Sequence, residues 1–114
     1  MSTTKIDRVN SELARKISEV ISYEMKDVRI TGMVSVLRVE TTKDLKQAKV
    51  YLSILGSDNA DDTLKGIKSG AGFIKSRLAS SLNIRQIPEL IFIKDDSIEY
   101  SIKINKILED INNK

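Results

Sequence analysis

The stretch Lys65-Gly66-Ile67-Lys68-Ser69-Gly70-Ala71-Gly72-Phe73-Ile74-Lys75-Ser76-Arg77-Leu78 decides how this chain is read. Apolar Leu64, Ile67 and Ala71 lead into a cluster of small residues, and Phe73, Ile74, Leu78 and Leu82 follow it. Three glycines fall within seven residues. Each would cost a continuous helix about 1 kcal/mol. The stretch therefore reads as two helical halves joined by a break at Gly70-Ala71-Gly72. No acidic residue occurs between Thr63 and Pro88, whereas Lys65, Lys68, Lys75, Arg77 and Arg85 do. A kink lined by small residues and flanked by cations lets a backbone phosphate approach the peptide chain closely. The plainer alternative is an ordinary helix end with a glycine just past it.

Working outward, Gly56-Ser57-Asp58 opens the first half, with Ser or Asp as the expected cap. Asp58, Asp61 and Asp62 complement the positive end of that helix, which explains them without a metal. Before it, Met33 to Glu40 and Lys46 to Leu55 predict two strands. Ala48, Val50, Leu52 and Ile54 share one face of the second strand, and Lys49, Tyr51 and Ser53 the other. The short polar link Thr41-Thr42-Lys43-Asp44-Leu45 predicts an antiparallel hairpin. Ile6, Val9, Leu13, Ile17, Val20 and Ile21 recur every three or four residues, predicting a first helix from about Thr4 to Lys26. Leu90-Ile91-Phe92-Ile93 predicts a third strand after the only proline, Pro88. Asp96-Ser97-Ile98-Glu99 has the form of a capping box for a last helix carrying Ile98, Ile102, Ile107, Leu108 and Ile111. The order predicts an α+β domain, a three-stranded sheet covered by helices.

Composition narrows the function classes. A chain of 114 residues fits one domain, 1–114. It contains no Cys and no His. Disulfides, thiolate zinc sites and Ser-His-Asp or Cys-His catalysis are thereby excluded. No nucleophile–base pair stands out, so no catalytic residue, metal or cofactor is expected. The first ten residues lack the apolar run of a signal peptide, and no stretch approaches the roughly 20 apolar residues of a membrane span. These features predict a soluble cytoplasmic protein. Net charge is only +3, but it is segregated: the basic run 63–88 precedes a C-terminal part, 95–114, with five acids against three bases.

The element order and the broken helix resemble a type-II K-homology RNA-binding domain. Such domains clamp nucleotides with a Gly-x-x-Gly loop, and the glycines here, at 32, 56, 66, 70 and 72, include no such pair. That departure, with five short motifs in order, resembles the bacterial ribosome-binding factor A family, whose K-homology-like fold has an Ala-x-Gly kink instead. The motifs are Lys26-Asp27-Val28-Arg29; Asp44-Leu45 with Ala48-Lys49-Val50-Tyr51; Gly72-Phe73-Ile74-Lys75; Leu82-Asn83-Ile84-Arg85-Gln86-Ile87-Pro88-Glu89-Leu90; and Asp96-Ser97-Ile98-Glu99. Two positions depart from the family pattern: Val28 stands where Pro is usual, and Gly70 where the kink has Ala. The resemblance implies a non-enzymatic factor that binds the free small (30S) ribosomal subunit. It would assist late maturation of 16S rRNA near its 5′ end and support growth in the cold. It also implies a monomer, with no membrane and no small-molecule substrate.

The expected RNA-binding set is Lys65, Lys68, Ser69, Gly70, Ala71, Gly72, Lys75, Arg77 and Arg85. Lys75 and Arg77 project to opposite flanks of the apolar stripe. Arg8, Arg15 and Lys16 are read mainly as partners of Asp7, Glu12 and Glu19 on the first helix. Asp27 and Arg29 are read as structural, Arg29 pairing with Asp27. Tyr23, Tyr51 and Tyr100 are the candidates for base stacking. The competing reading is a protein-interaction adaptor using the outer side of the hairpin or the last helix.

Overall fold

A computed structural model describes residues 4–97 and 105–109. The first helix, α1 (Lys5–Glu19), starts at a capping box: Asp7 N donates to Thr4 Oγ1 (3.1 Å) and Thr4 N to Asp7 Oδ2 (3.3 Å). It ends earlier than expected, giving way to a π-helical turn over Val20–Glu24 in which Met25 N donates to Val20 O (3.0 Å). The wider turn inserts one residue into the helical register. Consecutive Val20 and Ile21 are both buried there, while Tyr23 is exposed. An extended link then leads to β1 (Met33–Thr41), followed by β2 (Gln47–Leu55), α2 (Ala60–Ser69), α3 (Ala71–Ser81) and β3 (Glu89–Lys94).

The sheet order is β1-β2-β3, with β2 central, antiparallel to β1 and parallel to β3. The α2–α3 pair makes the crossover that a parallel neighbour requires. Leu13 and Ile17 of α1, Val50 and Leu52 of β2, and Ile67, Ile74 and Leu78 of α2 and α3 are fully buried together. Each such side chain contributes roughly 1.5–3 kcal/mol of burial. The expected stripes on α1 and β2 are thus the core. Ser53 is also buried, so at that end the outward side of β2 is covered rather than open.

The hairpin closes through a tight turn in which Leu45 N donates to Thr42 O (2.9 Å). Leu45 adopts φ 60°, a left-handed conformation that a branched side chain adopts only at a cost. On the outer sheet face, a register shift between Val36 and Arg38 places Arg38 opposite Tyr51. The guanidinium lies 3.8 Å from the Tyr51 ring centroid and pairs with Glu40 (3.2 Å) and Asp95 (3.4 Å). One face of the Tyr51 ring is therefore covered by its own neighbour.

One expected cap is corrected. Asn59, not Ser57 or Asp58, caps α2, its side-chain oxygen accepting from Asp62 N (3.1 Å). Ser57 is instead drawn into a hydroxyl cluster with Thr31 and Thr63. Ahead of the last helix, Asp95 accepts from the Ser97 amide (2.9 Å), and the amides that an Asp96 cap would meet lie outside the described residues. Most of that expected helix, including Ile98, Ile102, Ile111 and Tyr100, lies outside the described residues. Residues 105–109 are helical, but Ile107 and Leu108 are about half exposed, not core.

The link between α1 and β1 is fastened by that hydroxyl cluster. Thr63 Oγ1, fully buried, donates to Arg29 O (2.9 Å) and lies 2.7 Å from Ser57 Oγ, which is 2.9 Å from Thr31 Oγ1. Because the Thr63 proton points at Arg29 O, Ser57 donates to Thr63 and Thr31 to Ser57. The chain of donors holds residues 29–32 against the β2–α2 loop.

Candidate nucleic-acid interface

The break between the helices falls at one residue. Gly70 (φ −91°, ψ 10°) ends α2 and precedes α3, and its amide is shared between Gly66 O (3.2 Å) and Ile67 O (3.1 Å). This conformation does not itself require glycine. A Cβ on Gly70 would meet the terminal methyl of Met25, the far end of a flexible side chain that can turn aside. Gly66, one turn earlier, is buried against the link, where a Cβ would lie 3.0 Å from Ile30 Cγ1. Gly72 differs from both: it lies inside α3, not in the break, and a Cβ there would have no atom within 4 Å.

The start of α3 is an open, positive end. No side chain caps it and its first turn contains no acid. The first amides of a helix have no intrahelical acceptor, and the helix dipole makes them attractive to an anion. Lys68 stands in the last turn of α2, complementing its carbonyl end, and Lys65 lies one turn before it on the same exposed face. Lys75 follows Gly72 by three residues along α3 and is also exposed. Lys65, Lys68, Ala71, Gly72 and Lys75 are thus gathered at the kink. Gly72→Ala is expected to raise stability by about 0.5–1 kcal/mol, since alanine is the better helix former and the site is open. Urea denaturation checks it.

The other expected residues are placed differently. Ser69 is exposed, but its hydroxyl is engaged, donating to Gly66 O (2.9 Å) and accepting from Arg29 Nη2 (2.8 Å). Arg77 sits on the opposite flank from Lys75 and forms an ion pair with Glu24 of the π turn. Arg85 lies at neither place but in a separate cleft beside Lys5 and Arg8. On α1, Arg15 (3.1 Å) and Lys16 (3.3 Å) both pair with Glu19, in line with the structural reading.

Phe73 stands in the sequence only as an apolar position, yet it is 45% exposed. It lines a groove of 410 Å³ beside the kink, with Met25, Lys26, Asp27, Ser69 and Gly70. One signal points to it: Ile67, Ala71, Ile74 and Leu78 complete the core stripe at spacings of three and four, leaving Phe73 surplus. An exposed aromatic face can stack on an unpaired base, but the lining of this groove holds Glu24 and Asp27 against the single cation Lys26.

Asp27, which lines the groove, is held by Arg29 through a two-point ion pair, Nε–Oδ1 3.0 Å and Nη2–Oδ2 2.7 Å. The side-chain hydrogen bonds from Arg29, and then its backbone amide, hold the Asp27 carboxyl at about 2 against the usual 3.8. A depressed carboxyl stabilises the fold above its unfolded value, and that contribution is lost as pH falls through the folded one. The stability difference between the parent chain and Asp27→Asn is therefore expected to be constant above pH 5 and to shrink between about pH 4 and 2. Denaturation curves across that range check it. A difference that grows on acidification would contradict it.

Comparison with known proteins agrees with this arrangement. The family model described as ribosome-binding factor A matches residues 5–108. The ribosome-binding factor A of Caldanaerobacter subterraneus subsp. tengcongensis is 46% identical over 106 residues, covering 92% of this chain and 87% of that protein. That of Lachnoclostridium phytofermentans is 43% identical over 112 residues, covering 97% of this chain and 82% of that protein. The crystal structure of ribosome-binding factor A from Thermus thermophilus superposes with a TM-score of 0.69 at 21% identity, covering 78% of this chain and 93% of the other. The fold is accordingly the K-homology-like α+β arrangement with a kink in place of a Gly-x-x-Gly loop. Sequence and architecture agree: the chain belongs to the ribosome-binding factor A family.

Proposed function

We propose that this chain is a non-enzymatic assembly factor that binds the free small (30S) ribosomal subunit through its 16S rRNA. It acts as a cytoplasmic, single-domain monomer without a cofactor. It assists late maturation near the 5′ end of that RNA, a task that weighs most in the cold. The observation that carries this reading is the acid-free, uncapped start of α3 at the open Gly72, flanked by Lys68 and Lys75, in a chain of this family. Support also comes from the Thermus thermophilus ribosome binding factor A, a homology model of which has been fitted into the cryo-EM map of a 30S–RbfA complex. It resembles this chain with a TM-score of 0.63 at 22% identity. Phosphates dominate affinity, cations set its strength and the kink sets the fit. Binding one rRNA conformation better than others shifts the subunit population toward it.

The half-exposed Ile107 and Leu108 favour a second reading, an adaptor that docks another protein with its last helix. Sedimentation separates the two. The tagged chain, run with cell lysate on a sucrose gradient, is expected to travel with free small subunits and to be released steeply as salt rises. Co-migration that salt does not disturb would favour the adaptor. Absence from the small-subunit fractions would refute the proposal.

A further inference from the structure

A second cavity lies away from the kink. It is a cleft of 950 Å³ at the other end of α3, walled by the first half of α1, the hairpin turn and the link from α3 to β3. Its rim brings together Lys5, Arg8 and Arg85, with Arg85 lying 77 or more residues from the other two in the chain (85 − 8 = 77). None of the three forms an ion pair with a described residue. Arg15, at the edge, is engaged by Glu19 (3.1 Å). Of the two acids present, Asp44 is occupied, accepting from the Thr42 hydroxyl (2.6 Å) and the Lys46 amide (3.1 Å). Glu12 is the other.

The walls are not those of a bare phosphate site. Val9, Leu82 and Ile84 supply aliphatic surface, and Asn83 and Gln86 add carboxamides, each both donor and acceptor. Leu45 completes the apolar wall from its left-handed backbone. A hairpin turn of this kind ordinarily takes Gly or Asn at that position. A strained Leu there keeps an apolar side chain where the turn alone would not ask for one.

We infer that this cleft is a second RNA site, taking an unstacked nucleotide with its flanking phosphates. This rests on the rRNA-binding reading above. The rim cations meet the phosphates, the aliphatic walls cover the base and the carboxamides meet its edge, the mode by which single-stranded RNA is read. RNA fits better than an acidic peptide because of continuity. Eleven residues of α3 separate the kink from the cleft, about 16 Å along the axis. From Thr63 to Pro88 the chain has no acid to interrupt a polyanion running between them. One RNA strand can then engage both ends, and joining two contacts on one ligand multiplies affinity.

The test uses the intact chain, isotope-labelled for amide NMR, with fluorescein-labelled hexauridylate as probe. Amide shifts are expected at Arg8, Leu45, Asn83 and Gln86. Arg8→Glu with Arg85→Glu should lower hexauridylate affinity at least about tenfold and reduce the slope of log K against log salt by about one to two. Leu45→Asn tolerates the left-handed turn. It should weaken hexauridylate about threefold while leaving an abasic hexamer unaffected. Shifts confined to residues 68–76, or affinity unchanged in the double variant, overturn the inference. So does a Glu/Leu-rich peptide filling the cleft when hexauridylate does not. If the cleft fails while the parent chain still sediments with small subunits, only this site is lost. If the parent does not sediment with them, the function itself falls.

Discussion

Gly72→Glu combined with Lys75→Glu is expected to abolish co-sedimentation with small subunits while the fold is retained. The pair changes the charge beside the kink by three units, one from Gly72 and two from Lys75. The new carboxylates stand where a phosphate would approach the free amides of α3. At least one phosphate contact is lost and repulsion replaces it, so affinity should fall about 100-fold, with the salt slope reduced by at least about one. Folding should not suffer. A side chain at Gly72 meets no atom within 4 Å. A carboxylate in the first turn of a helix that has none favours its dipole by about 0.3–1 kcal/mol, and glutamate is a better helix former than glycine. The variant should therefore unfold at the same urea concentration as the parent, or a higher one. Normal co-migration of a folded double variant would remove the kink from the contact surface.

Gly32→Ala is expected to cost about 3–5 kcal/mol, a large part of the roughly 5–15 kcal/mol by which a domain is stable. Gly32 has φ 79°, and its Cβ would lie 2.5 Å from Leu55 O, 2.6 Å from Ser57 N and 2.8 Å from Gly56 C. All three are backbone atoms and cannot turn aside. Moving them pulls Ser57 from Thr31 and Thr63, opening the hydroxyl chain that fastens the link. Gly56→Ala provides the control. Gly56 has φ 66° but no atom within 4 Å of the added carbon, so only the left-handed penalty of about 1–2 kcal/mol applies. Urea denaturation of the two variants side by side separates steric from conformational cost. Equal losses would show that the packing at Gly32 contributes nothing.

The contrast between those glycines shows what local pattern carries and what it does not. Periodicity reports the α1 stripe, the β2 alternation and the broken helix, because burial of one face repeats every 3.6 or 2 residues. It does not report the π turn, where an inserted residue breaks the period and buries two neighbours in a row. Nor does it report Asn59 as the α2 cap. Ser57, an equally good candidate, is claimed by Thr31 and Thr63, which lie 26 and 6 residues from it. The interface is half legible. An acid-free run from 63 to 88 can be read along the chain. The ion pair of Arg77 with Glu24 and the hydrogen bond of Ser69 with Arg29 depend on partners 53 and 40 residues away (77 − 24 = 53; 69 − 29 = 40).

By itself, the sequence determined the element order, the composition of the core and the existence of a glycine-rich break among cations. These follow from nearest-neighbour preferences and the one-dimensional spacing of apolar groups. Only the tertiary structure decided where the cations go: Lys68 and Lys75 to the open start of α3, Arg77 into an ion pair, and Arg85 across to α1. It also decided that Met25 packs against Gly70, while Gly72 has nothing against it. Which partner a charge meets, and whether an absent side chain leaves room for the fold or for a ligand, is set by the packing of segments remote in sequence, and no local pattern encodes it.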